Sequence, residues 1–128
     1  MSDRVVKEYL NKSKKKIEAA QILYNNKFYN DCISRCYYSM FWAAKALLLT
    51  KGLNVKTHKG LITKFGLDFV KKGYVERIYG KALRIAKENR ETADYEIDIE
   101  YTKDDARESI KKAKEFHEKI ITVINDLL

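Results

Sequence analysis

At 128 residues, with 45% hydrophobic and 34% charged residues, the chain suits one soluble globular domain with a real core and is too apolar for a disordered segment. No apolar run approaches the roughly 20 residues a membrane-crossing helix needs, and the opening MSDRVVKEYL has no stretch of signal-peptide type, so the cytoplasm is the expected compartment. The net charge of +8 favours anionic partners such as nucleic acid, nucleotides or an acidic protein, although the lysines are spread along the chain as on an ordinary solvated face.

Pro is absent and the 5 glycines all fall in the middle third, so helical periodicity dominates on either side of them. A first helix is predicted from about Asp3 to Tyr24, with Val6, Leu10, Ser13, Ile17, Ala20 and Tyr24 on one face. Asn25 and Asn26 mark a turn. A second helix runs from about Phe28 to Leu49 and stops before Gly52, which suits a C-terminal cap. A shorter helical piece begins near Thr57, with Leu61, Ile62 and Phe65 apolar, and Gly66 and Gly73 are expected to interrupt it. A further helix from about Tyr74 to Ala93 aligns Val75, Ile78, Tyr79, Ala82, Ala86 and Ala93. The last helix starts after Thr102, where TKDD has the shape of a capping box with Asp105 in the acidic position. Its stripe is Ala106, Ile110, Ala113, His117, Ile120, Ile124 and Leu127. Short connections between long amphipathic helices make neighbours antiparallel. The expected fold is therefore all-α: an up-and-down bundle of four main helices plus a short extra one, a single domain over 1–128.

The second helix carries two distinct faces. Tyr29, Cys32, Ile33, Cys36, Met40, Ala43, Ala44 and Leu47 form a wide apolar arc directed at the core. Opposite them lie Asp31, Arg35, Tyr38, Trp42 and Lys45, an aromatic stripe with charged ends where Lys and Glu would be ordinary. Either Tyr38 and Trp42 bury against another helix or a second subunit, with Asp31 and Arg35 paired, or the rings stack on a ligand while Arg35 and Lys45 hold its phosphate. Cys32 and Cys36 have no second pair of ligands to complete a zinc site and read as small buried residues. No metal or cofactor is expected.

His58, in VKTHKG, is placed to act as acid, base or phosphate donor, or else as a surface or capping imidazole. His117 lies on an apolar stripe and reads as a satisfied core or interface histidine. In RETADY, Arg90 and Asp94 are i,i+4 neighbours: either a simple helical ion pair, or an anion-binding Arg90 oriented by Asp94. A Gly-rich phosphate loop, HExxH, a Ser-His-Asp or Cys-His arrangement and short nucleic-acid signatures are all missing.

In order, DCISRCYYSMFWAAKALLLTKG, KTHKGLITKFGLDFVKKG, RETADY and TKDDARESIKKAKEFHEKI resemble the landmarks of the HEPN family (higher eukaryotes and prokaryotes nucleotide-binding), in its small stand-alone archaeal and bacterial form. The resemblance implies a helical bundle that commonly dimerises. It also implies frequent pairing with a minimal nucleotidyltransferase, often as a toxin–antitoxin couple. Many members are metal-independent ribonucleases whose signature is an Arg followed, after a short polar-led stretch, by a His. That signature is absent: no Arg lies close upstream of His58, Arg107 is too far from His117, and Arg90 is followed by Asp94 and Tyr95. By resemblance the positions of interest are Arg35, Tyr38, His58, Arg90, Asp94 and Tyr95. The leading expectation is a dimeric module that binds a nucleotide, RNA or a partner nucleotidyltransferase, with Arg35, Lys45, His58 and Arg90 toward the anion. The alternatives are a ribonuclease toxin, with His58 as base and Arg90 stabilising charge across the dimer, and a purely structural dimer partner joined through Tyr38 and Trp42.

Overall fold

The computed structural model describes residues 3–128. Its elements are α1 (Asp3–Asn25), α2 (Tyr29–Leu49), α3 (His58–Phe65), continued by a π turn over Gly66–Val70, α4 (Arg77–Tyr95) and α5 (Lys103–Leu127). The bundle is all-α, as the periodicity predicts, and α2 is its axis. α1, α4 and α5 all pack along it. Ser34, Tyr37, Ser39, Phe41, Ala46 and Leu48 are buried together with the expected apolar arc from Cys32 to Leu47, while Tyr29 stays half-buried. The open strip of α2 therefore narrows to exposed Asp31 and Arg35, followed by half-buried Tyr38, Trp42 and Lys45. Small residues at Ser34, Ser39, Ala43, Ala44 and Ala46 let the neighbouring helices approach closely enough to enclose it.

Local chemistry sets the helix ends. Gly52 takes φ +73 after α2, and the Leu53 N–H reaches back to the Leu48 carbonyl at 3.1 Å, the left-handed cap its position suggests. Thr102 caps α5: its hydroxyl accepts from the Asp105 N–H at 3.1 Å, while the Asp105 carboxylate accepts from the Thr102 N–H at 2.9 Å. Two sequence expectations need correction. Gly66 does not interrupt the third helix, which widens into the π turn and ends near Gly73 (φ +86). A lone glycine costs only about 1 kcal/mol relative to alanine, and buried Phe65 and Phe69 anchor the chain on both sides of it. α4 begins at Arg77 rather than Tyr74. Val75 joins the core from the connecting segment, its N–H donating to the Phe69 carbonyl at 3.2 Å.

On α5, Phe116 and Val123 join the buried stripe, while His117 sits at its edge, half-buried. His117 Nδ1 lies 2.8 Å from Ser13 Oγ, which lies 3.1 Å from Ser39 Oγ, a polar tie across α1, α2 and α5. His117 is thus a satisfied histidine. Burial holds its pKa below the ordinary imidazole value. The unfolded chain therefore binds the proton first, and stability is lost as pH falls below about 6.5, the unperturbed value. Denaturant midpoints measured from pH 8 to 5 are expected to decline below that point, and His117→Gln to flatten the decline.

Candidate anion-binding site

The site grows from a short loop. Thr57 is extended, and its hydroxyl accepts from the Gly60 N–H at 2.9 Å, which starts α3 at His58. Gly60 is required there, because a Cβ would lie 2.7 Å from Thr57 Oγ1 and 2.8 Å from Val55 Cγ1. Gly60→Ala is expected to dislodge this cap, costing about 1–2 kcal/mol and shifting the backbone of His58. Thermal melts together with the His58 NMR signals check both effects.

His58 is carried by this cap onto the aromatic wall of α2. Its Nδ1 lies 2.6 Å from the hydroxyl of fully buried Tyr37. Its ring centroid is 4.4 Å from that of Phe41 and 5.9 Å, edge on, from that of Tyr38. From α4, Arg90 lays its guanidinium 5.5 Å from the ring centroids of both Tyr37 and Tyr38. The Arg90 side chain is only 12% exposed; Nη1 sits 3.8 Å from Asp94, and Asp94 in turn accepts from Ser34 Oγ at 3.2 Å. The buried Arg90 Nε has no hydrogen-bond partner. Lys87, one turn earlier on α4, pairs with Glu91 at 3.0 Å.

The electrostatics follow from this packing. Burial is the first cause holding the His58 pKa below its ordinary value, and Arg90, Lys87 and Lys45 push in the same direction against Glu91. The imidazole is therefore biased toward its neutral form, first by burial and then by the positive charge of the three cations. Burial also pushes the Tyr37 phenol up, so it keeps its proton. Among the described residues no group of three or more His, Cys, Asp or Glu could hold a metal ion. What the cluster offers is a group of cations backed by aromatic rings, chemistry suited to a phosphate.

Of the positions singled out from sequence, Tyr38, His58, Arg90 and Asp94 come together here. Arg90 and His58 meet within one chain through Tyr37, so their convergence needs no second subunit. Lys45 stands at the edge, its amine 5.5 Å from the Trp42 ring centroid and 5.6 Å from that of Tyr9. Trp42 packs on Tyr9 of α1 at 5.3 Å, with the Lys12 amine over it at 4.3 Å, so part of the aromatic stripe is used inside the chain. Arg35 is exposed and makes no ion pair with Asp31, nor any hydrogen bond or ring contact with the cluster, among the described residues. Tyr95 is 71% exposed and outside it. Tyr37, Ser34, Lys87 and Glu91 complete the cluster without having been singled out. A signal for the last two lies in KENRETAD, where Lys87, Arg90, Glu91 and Asp94 share one helical face. Tyr37 falls between the two arcs assigned to its helix. A separate cavity of about 570 Å³ between α2, α4 and α5 is floored by Ile33, Cys36 and Met40 and is mostly apolar. It shares no residue with the cluster.

Helices wrapped around one central helix, with a histidine and a buried arginine on its tyrosines, define a small all-α protein with a cationic cluster on an aromatic wall. The chain belongs to the HEPN domain family, whose model matches residues 6–123. It is 44% identical over 112 residues to a Methanocaldococcus jannaschii protein named "Putative toxin MJ0605", covering 88% of this chain and 83% of that one. It is 30% identical over 125 residues to a UPF0332 protein of Thermotoga maritima, covering 98% and 95%. The fold matches that of TT1696 from Thermus thermophilus, with a TM-score of 0.78 over 92% of this chain and 97% of that one at 16% identity. No described helix is long and apolar enough to cross a membrane.

Proposed function

We propose that this HEPN protein is a phosphate-recognising module that binds a nucleotide or RNA at the cluster of His58 and Arg90. The observation that carries this reading is the Arg90 guanidinium, buried against two tyrosine faces with an Nε that no protein group satisfies. That Nε is enclosed, so an incoming phosphate oxygen would meet the guanidinium at the 12% of the side chain that stays exposed, where partial burial strengthens its pull on an anion. Lys87 and Lys45 add attraction, and Tyr38 supplies a half-exposed ring on which a base can stack. Calorimetric titration with AMP, ATP and a short RNA tests it. Saturable binding that falls about tenfold in His58→Ala, with Arg35→Ala unchanged as the surface control, supports the reading; no binding by any of the three ends it.

The family resemblance extends this reading to a dimer working with a minimal nucleotidyltransferase in a toxin–antitoxin pair, and relatives named as toxins favour it. Half-buried Tyr38 and Trp42 are the expected dimer contacts. Light scattering on Tyr38→Ala and Trp42→Ala tests this, since both should yield monomer.

A second reading, a ribonuclease toxin, draws on the neutral imidazole beside a guanidinium, with His58 as base and Arg90 stabilising phosphorane charge. It requires RNA cleavage in chelator that His58→Ala abolishes.

A further inference from the structure

We propose that Tyr37 fixes His58 as its Nε2–H tautomer, making His58 a neutral hydrogen-bond donor to a phosphate that is bound intact rather than a base that activates a nucleophile. The inference deepens the phosphate-binding reading and rests on it for the ligand, but not for the tautomer.

Tyr37 is fully buried, and its hydroxyl has one hydrogen-bond partner among the described residues, His58 Nδ1 at 2.6 Å. A phenol and a neutral imidazole can share that contact in two ways. If Nδ1 carried the proton, the phenol oxygen would accept it, and the phenol's own hydrogen would be left in the interior without an acceptor. If the phenol donates, both groups are satisfied, Nδ1 is the acceptor, and the ring proton must sit on Nε2. The second arrangement is the one a buried Tyr37 selects. A protonated imidazole would require the first orientation of the phenol, so the same contact also disfavours imidazolium. The surroundings agree: the positive charges of Arg90 and Lys87 from α4 and Lys45 from α2 disfavour imidazolium, opposed by Glu91, while Tyr37 stays a neutral phenol.

The consequence is chemical. No hydrogen bond reaches His58 Nε2 among the described residues, and the half-buried ring keeps part of its surface at solvent. The ring's one basic lone pair is then unavailable for proton abstraction: Nδ1 uses it to accept from Tyr37, and Nε2 carries hydrogen. Such a ring donates to a phosphate oxygen next to Arg90 but does not deprotonate a ribose hydroxyl. The class of ligand is a phosphate-bearing molecule held through its phosphate.

Long-range 1H–15N correlation spectra of the labelled protein at pH 7 read the tautomer directly, with only two histidines to assign. The expected pattern is a protonated Nε2 and an unprotonated Nδ1 at His58, with loss of that single tautomer in Tyr37→Phe. A protonated Nδ1, or imidazolium at pH 7, overturns the assignment whether or not phosphate binds. Two substitutions then test the role with AMP as probe. His58→Gln keeps an amide N–H near the Nε2 position and is expected to hold AMP within about threefold, whereas His58→Asn loses about tenfold. Equal losses in both, or RNA cleavage present in the parent and absent in His58→Gln, count against His58 as donor. Absence of AMP binding in the parent defeats the phosphate reading and leaves the tautomer result standing on its own.

Discussion

Arg90→Ala is expected to weaken nucleotide binding by about ten- to a hundredfold, the range of one charge-assisted hydrogen bond at about 1.5–3 kcal/mol. The same variant is expected to fold. It loses stacking on Tyr37 and Tyr38 and the 3.8 Å pair with Asp94, but it also removes an unsatisfied buried Nε, and Asp94 keeps its bond from Ser34. A second signature separates this site effect from general damage. Arg90 is the largest charge contribution lowering the His58 pKa, second only to burial. Removing it must raise that pKa while leaving it below the ordinary value, because burial persists. Lys87→Ala moves the pKa in the same direction by less. An NMR titration of His58 in the three proteins checks the order.

Phe116→Ala is expected to be among the most damaging core truncations, costing about 3–5 kcal/mol. The ring is fully buried on α5, with centroids 5.6 Å from Phe65 of α3 and 6.3 Å from Tyr79 of α4. Its removal opens a cavity where three helices meet. Against a typical total stability of about 5–15 kcal/mol, that is a large fraction. Urea unfolding should show a lower midpoint with little change in slope. Ile97→Ala, in the connection after α4 and 95% exposed, is the control and should stay within about 0.5 kcal/mol of the parent.

The bundle is legible in the sequence because long amphipathic helices are specified by residues near one another. Thr102 and Asp105 announce the start of α5, and Gly52 the end of α2, through bonds that span a few residues. The departures have the opposite origin. Gly66 looks like a break to local propensity, and only the burial of Phe65 and Phe69 against distant helices overrides it. His117 and Phe116 are adjacent, and periodicity alone does not say which one the core takes.

The site is half legible for the same reason. Arg90 and Asp94 pair along one helix, and the sequence shows that spacing. Tyr37 and His58 are joined by tertiary packing, which no spacing rule reports. Arg35 attracts attention in the sequence because periodicity gives the second helix two faces. In the folded chain α2 is enclosed on most sides, and Arg35 is left on the open strip with Asp31.

On the proposed reading, a phosphate is held between Arg90 and His58. The most direct measurement is a 15N-resolved titration with AMP that follows the Arg90 Nε–H and His58 Nε2 signals. Saturable shifts at both with one binding constant, and an unmoved Arg35 Nε–H, are the predicted result. Shifts spread over exposed arginines, Arg35 included, with Arg90 unmoved at saturation, would contradict it.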